Sequence, residues 1–180
     1  VLTALVIRGF THMAMTMLET IKTRRSTREF LDRSIPSDVM MFLMEAAQWS
    51  PSGGNIQPLR IVVVQDRENI RKVNMFSPGL QGDAAALLVL CVDTSIDTPT
   101  AVMDAAIATQ SIMLVATENE LGSCAVRSFN RVALRTLLRL PSSIEPEMVI
   151  SLGYPAKAIT VPNRKPIESF VHWETYNDDK

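Results

Sequence analysis

Near the start of the chain, Arg24-Arg25-Ser26-Thr27-Arg28-Glu29-Phe30 gathers three guanidinium groups and two hydroxyls within seven residues. Guanidinium forks match phosphate oxygens in shape and charge, and a serine adds a hydroxyl or backbone donor, so the cluster suits an anion. A solvated basic turn between helices would have the same composition. An RNA-binding arm would need interleaved aromatics and a wider basic surface, and neither is present. A second stretch, Pro51-Ser52-Gly53-Gly54-Asn55-Ile56-Gln57-Pro58, resembles a phosphate cradle at first sight. It is not a P-loop, because no Gly-Lys-Ser/Thr follows and the next segment reads as a strand. Nor is it a dinucleotide fingerprint. Its glycine pair lets backbone approach a flat ligand closely, while Asn55 and Gln57 offer amide donors and acceptors. An ordinary helix-to-strand connection is the alternative. His12 and His172 are the only histidines, which argues against a Ser-His-Asp triad or a His/Cys metal centre.

The elements that must position these residues follow from periodicity. Leu18 to Thr23 reads as a short helix leading into the basic cluster. Pro36 suits a helix start, because its missing N–H would be unpaired there anyway. From Ser37 to Trp49 apolar residues at 39, 40, 43, 46 and 47 recur at helical spacing. Arg60 to Val64 is short and β-branched, hence a strand. Asp66 to Met75 reads as a helix and Ala84 to Val92 as a fully buried strand. Met103 to Glu118 is a helix apolar almost all round, so buried on several sides, part of it expected under a second subunit. Leu121-Gly122 would stop it. Cys124 to Arg127 reads as a short strand, Asn130 to Leu140 as an amphipathic helix and Met148 to Tyr154 as another buried strand. Helices and strands alternate irregularly, which implies an α+β fold with a mixed sheet.

At 180 residues the chain fits one domain with arms, able to hide roughly 70% of its unfolded surface. Its formal net charge of -1 gives no basic field for nucleic acid or a membrane surface. Cys91 lies in an apolar run and reads as a buried, inert thiol; with only two cysteines no disulfide framework is expected, and a reducing, cytoplasmic compartment is the default. Val1 to Ile7 is apolar but lacks a charged leader and is too short to span a bilayer. Residues 1–16 read as an extension, an artefact of expression or an upstream read-through, with an arm packed on a partner as the alternative. Residues 17–180 read as the domain, ending in a polar tail long enough to wrap a neighbour.

Taken together, the basic Arg-Arg-Ser-x-Arg-x-Phe and the later Pro-Ser-x-x-Asn-x-Gln-Pro resemble the nitroreductase family. So do Leu-Gly-Ser-Cys at 121–124, Leu-Gly-Tyr-Pro at 152–155 and Asn-Arg-Lys-Pro-Ile-Glu at 163–168. The resemblance spans residues 18 to about 173. It implies an intertwined homodimer with a mixed, largely antiparallel sheet flanked by helices, and FMN bound at the subunit interface. Arg24 and Ser26, with Arg25 between them, would hold the FMN phosphate, joined by Arg164 or, in its place, Lys165. Arg28 would reach the pyrimidine end of the flavin and stabilise charge gathered there on reduction. Pro51, Ser52, Gly53, Asn55 and Gln57 would cover the flavin from the other subunit. The backbone near Val126, Arg127 and Ser128 would approach flavin N5. The implied activity is hydride transfer from NAD(P)H, through the flavin, to a small conjugated acceptor such as a nitroaromatic or quinone.

The sequence also departs from the family pattern. Leu59 stands where an aromatic often follows Gln-Pro, and Ala125 and Val126 replace another aromatic, so the acceptor pocket is expected to be less flat. Between Phe76 and Asp83 there is no clean match for the family's asparagine or lysine toward the flavin, although Gln81 could serve. The chain is short for the family and is expected to lack a lid. Two other readings remain open: a flavin-dependent dehydrogenase or dehalogenase of one specific pathway, and a non-catalytic flavin binder.

Overall fold

The computed structural model describes residues 15–158 and 160–176. Strand order and pairing follow the hydrophobic pattern. Strand β2, Ala86–Asp93, pairs antiparallel with β1, Leu59–Val64, on one side and with β4, Ile144–Gly153, on the other; β3, Gly122–Val126, closes the order β1-β2-β4-β3. Ala86 to Val92 is buried throughout, as expected of a central strand covered on both faces. All three pairings are antiparallel. Outside these pairings, an isolated parallel bridge joins Ser26 to Ser123.

Alternate residues of β2 and β4 feed two cores. Leu88, Leu90, Ile150 and Leu152 point toward Leu43 of α2 (Ser37–Gln48) and Ile112 of α4 (Ala101–Glu118). On the opposite face Leu87, Val89 and Val149 meet Val73 of α3 (Arg67–Met75) and Leu134 of α5 (Arg131–Leu137). A one-residue slip would exchange these faces, so the alternation fixes the register. The helices start where local chemistry dictates. Asp66 caps α3 by accepting from Asn69 N at 2.9 Å, and Asn130 caps α5 by accepting from Ala133 N at 3.0 Å. Thr16 and Glu19 form a capping box on α1, Met17–Thr23.

Several boundaries differ from the sequence reading. Strand β4 begins at Ile144 rather than Met148, and α5 ends at Leu137 rather than Leu140. Helix α4 begins at Ala101 rather than Met103 and ends at Glu118 as read, with Glu120 just beyond it at φ 61°; β3 begins at Gly122, not Cys124, so that glycine is a strand residue rather than a helix stop. Helix α4 is also less enclosed than its composition implies: Ala105, Ala108, Ile112 and Ala116 are buried, but Met103 and Ile107 are exposed in the single chain. The expectation for residues 1–14 and the end of the tail, 177–180, lies outside the described residues.

Candidate functional site

The basic segment is laid against the end of the sheet. Thr27 N donates to Ser123 O at 2.9 Å, Leu31 N to Tyr154 O at 2.8 Å, and Ala156 N to Glu29 O at 3.0 Å. This threading depends on two missing side chains. A Cβ on Gly122 would lie 2.5–2.6 Å from the Thr27 side chain, and one on Gly153 would lie 2.9 Å from the Phe30 ring. Both glycines are buried strand residues, so their role is close approach of backbone rather than a turn. Gly122→Ala is therefore expected to lower the unfolding free energy by about 1–3 kcal/mol, an overpacking cost. Urea titration measures it, and an unchanged midpoint would mean that Thr27 moves aside freely.

The cations of the segment converge on one another rather than on carboxylates. Burial, then the neighbouring Arg25 and Arg164 guanidinium groups, push Arg24 below the ordinary arginine value. Arg25 donates through Nε to Thr160 O at 3.0 Å and through Nη1 to Lys22 O at 2.6 Å, which stitches the C-terminal segment to α1. Among the described residues Arg24 and Arg164 form no ion pair with an acidic group. Nearby, Ser123 Oγ is buried without a hydrogen-bond partner among the described residues. Adjacent cations repel, and a buried hydroxyl lacking a partner costs free energy. An anion with several oxygens would relieve the first.

Two further segments reach the same place. The connection between α3 and β2 carries Gly82, at φ 73°, where a Cβ would lie 2.2 Å from Arg28 O. It also carries Gly79, where a Cβ would lie 2.1 Å from Ser128 Oγ and 3.3 Å from Val126. The loop thus wedges between the basic segment and residues 126–128, and Gln81 lies within it. Arg127 donates from Nη2 to Glu147 Oε2 at 2.7 Å and from Nε to Glu147 O at 3.2 Å, which ties its side chain to β4.

The Pro51–Pro58 loop lies elsewhere. Gly53 N donates to Asp104 Oδ1 at 3.2 Å, and Asp104 also accepts from Thr100 Oγ1 at 3.2 Å, which anchors the loop on the first turn of α4. Gln57 folds back on the loop, its N taking Ser52 Oγ at 2.9 Å and its Nε2 taking Asn55 Oδ1 at 3.1 Å. Gly54, Asn55 and Gln57 all have φ near 57–58°, a left-handed conformation that bulky residues resist. Beneath the loop is a cavity of about 320 Å³ lined by Met44, Ala47, Leu59, Ile61, Asp104 and Ala108. The basic segment, by contrast, binds just past the other end of α4. That 18-residue helix is about 27 Å long. Arg24, Ser26 and Arg28, on the segment bonded to Ser123, and Arg164, beside Arg24, therefore lie past the last turn of α4, and Pro51, Ser52, Gly53, Asn55 and Gln57 lie at its first turn.

A sequence profile of the nitroreductase family matches residues 21–86 and 76–154. The chain belongs to the nitroreductase family. It is 34% identical over 151 residues to a Methanothermobacter thermautotrophicus protein provisionally named NADH dehydrogenase/NAD(P)H nitroreductase, covering 79% of each chain. It is 26% identical over 190 residues to a Bacillus subtilis FMN reductase (NAD(P)H), covering 91% of this chain and 76% of the relative. The crystal structure of a nitroreductase family protein from Clostridium difficile superposes with a TM-score of 0.81 at 30% identity, covering 90% of this chain and all of that one.

For a nitroreductase-family chain, the residues that sequence reading passed over are informative. Asp104 and Glu147 are buried acids, and the Gly79–Gly82 loop joins two halves of the site. The signals were faint: one acid near the start of an apolar helix, one of two acids just before the strand as read, and a glycine pair. Cys91 behaves as expected, with burial first and then Glu145 and Glu147 pushing its thiol up to about 12, far from a reactive thiolate. Among the described residues no group of His, Cys, Asp and Glu could hold a metal, and no helix is long and apolar enough to cross a membrane.

Proposed function

We propose that the protein is an FMN-dependent NAD(P)H oxidoreductase that works as a homodimer with two shared sites. The single observation that carries the cofactor reading is the closeness of Arg25 and Arg164 to Arg24, on a segment that the Ser26–Ser123 bridge holds against β3. These groups fit a terminal phosphate: guanidinium donors, a serine at position 26, and no competing carboxylate on Arg24 or Arg164 among the described residues. The cluster is compact, and no dinucleotide fingerprint provides for an adenosine half, which favours FMN over FAD.

FMN, when bound, would supply the redox chemistry for hydride transfer between NAD(P)H and a conjugated acceptor such as a nitroaromatic or quinone. The chain's own part is to hold and bias it. Arg24, Arg25, Ser26 and Arg164 bind the phosphate. Arg28, exposed on the same segment, would bring a cation to the pyrimidine end, where negative charge grows on reduction. The backbone of Val126, Arg127 and Ser128 orients the ring edge. No general base is required, which agrees with the scarcity of histidine.

The dimer reading rests on separation and exposure. The segment carrying Arg24, Ser26 and Arg28 is bonded to Ser123 just past the last turn of α4, whereas the Pro51–Gln57 loop is anchored on its first turn, about one helix length away; on this reading the loop serves a second copy's flavin. Val102, Met103 and Ile107 on α4, and Ile167, Phe170, Trp173 and Tyr176 in the C-terminal arm, are large exposed apolar residues in the single chain. Patches of this kind mark an interface. The two free, buried cysteines agree with a reducing, cytoplasmic setting. The protein is expected to purify yellow, with about one FMN per chain recovered on acid release and chromatography by counting one phosphate cluster per chain. Recovery of FAD, or a colourless protein that ignores added FMN, would sink the assignment.

A further inference from the structure

We propose that Glu147 is a positioning residue for the flavin, acting through Arg127 and Arg131 to fix the backbone of residues 126–128. The proposal rests on the FMN reading above and adds a residue to it. Strand pairing between β3 and β4 ends at Val126 opposite Val149. Beyond it, Arg127 and Ser128 are exposed and have no ladder to define their backbone. The side chains supply the constraint instead. Glu147, on the neighbouring strand and only 7% exposed, accepts from Arg127 Nη2 at 2.7 Å and from Arg131 Nη1 and Nη2 at 2.8 Å each.

The peptide oxygens of the same strand complete the clamp. Arg127 Nε donates to Glu147 O at 3.2 Å, and Arg131 Nη1 donates to Pro146 O at 2.6 Å. One carboxylate therefore ties the end of β3 and the start of α5 to β4, bracketing the segment from both sides. Charge-assisted, two-pronged arginine contacts define orientation as well as distance. Hydrogen bonds from Arg131, opposed by burial and aided by Arg127, hold the Glu147 carboxyl below the usual carboxylate range, so the clamp stays ionised at neutral pH.

A clamp and a simple electric field predict different results. Neutralising Glu147 makes the turn more positive, and neutralising Arg127 makes it less positive. Reduced flavin carries more negative charge than oxidised flavin, so a pure field effect would shift the midpoint potential in opposite directions. Loss of a common backbone constraint shifts it in the same direction. The test is the midpoint potential of protein-bound FMN in the full-length wild type, Glu147→Gln, Arg127→Gln, Arg127→Lys and the Glu147→Gln/Arg127→Gln double variant.

Each single variant is expected to shift with one sign. The expected size is about a tenfold change in the ratio of affinities for oxidised and reduced FMN, about 30 mV for a two-electron couple. The double variant is expected to shift no further than the larger single, because the clamp can be lost only once. Opposite signs, additive shifts or unchanged potentials would overturn the proposal. Should Glu147→Gln fail to fold, the Arg127 variants decide. Lysine keeps the charge but cannot make both the Nε and Nη2 contacts, so a shift shared with Arg127→Gln supports the clamp, and a wild-type potential overturns it. Wild-type protein that binds no FMN would instead reject the functional reading itself, before any substitution is compared.

Discussion

Arg24→Ala is expected to weaken FMN binding ten- to hundredfold, while Arg28→Ala is expected to retain FMN and lower its midpoint potential. The two arginines share one short segment, yet their surroundings separate their roles. Arg24 is partly buried, pressed against Arg25 and Arg164, and its charge is disfavoured by burial and by those neighbours. A dianionic phosphate relieves that repulsion, and a charge-assisted hydrogen bond to it contributes about 1.5–3 kcal/mol, which sets the expected range. Arg28 is exposed, and its only side-chain contact among the described residues is a long one of 3.5 Å from Nη1 to Ser26 O. It is free to follow charge that develops at the pyrimidine end on reduction. Oxidised flavin is neutral there, so affinity for it should change little, whereas the reduced form loses its counter-ion. Fluorescence titration with FMN gives the first quantity and spectroelectrochemistry the second. Equal losses of affinity with no change in potential would show that the roles are assigned wrongly.

The ease with which each part could be read from sequence follows from what fixes it. The two-sided burial of β2 is visible because an uninterrupted apolar run of strand length can be satisfied only between two layers. The helix starts at Ser37 and Arg67 are visible because Pro36 and Asp66 act locally. The end of α4 at Glu118 is legible, but the glycine after Leu121, which matches a helix stop, is already the first residue of β3. Its actual constraint is the Thr27 side chain, which is distant in sequence and packs against it. The resemblance to nitroreductases drew candidate phosphate and ring ligands from separated motifs, and the threading of residues 26–31 along β3 and β4 is what lays the basic segment against Ser123 and Tyr154. What composition could not convey is the pairing of acids with distant partners. Asp104 holds Gly53 across 51 positions, and Glu147 holds Arg127 across 20. A single acid in an apolar element reads as a surface residue until its partners are seen.

A mixed dimer carrying Arg24→Ala in one subunit and a disruptive Asn55 substitution in the other is expected to regain activity that both parent homodimers lack. The geometry behind this is the placement of the two motifs at opposite ends of α4. Arg24 meets the C-terminal segment near Arg164, and the segment it opens is bonded to Ser123, just past the helix's last turn. Asn55 belongs to the loop that Asp104 anchors on the helix's first turn. If each flavin takes its basic segment from one subunit and its Pro51–Gln57 loop from the other, one site of the mixed dimer collects both defects and the other collects none. Roughly half of wild-type activity and about one tightly held FMN per dimer should follow, if the sites act independently. If both residues served the flavin of their own chain, every site would keep one defect and nothing would return. The two variants are co-expressed with distinct tags and purified through both, with sedimentation at low micromolar concentration confirming dimers and excluding exchange back to homodimers. A pure mixed dimer as inactive as its parents, assembled and folded, would reject the shared site and leave the exposed residues of α4 and the C-terminal arm in need of another explanation.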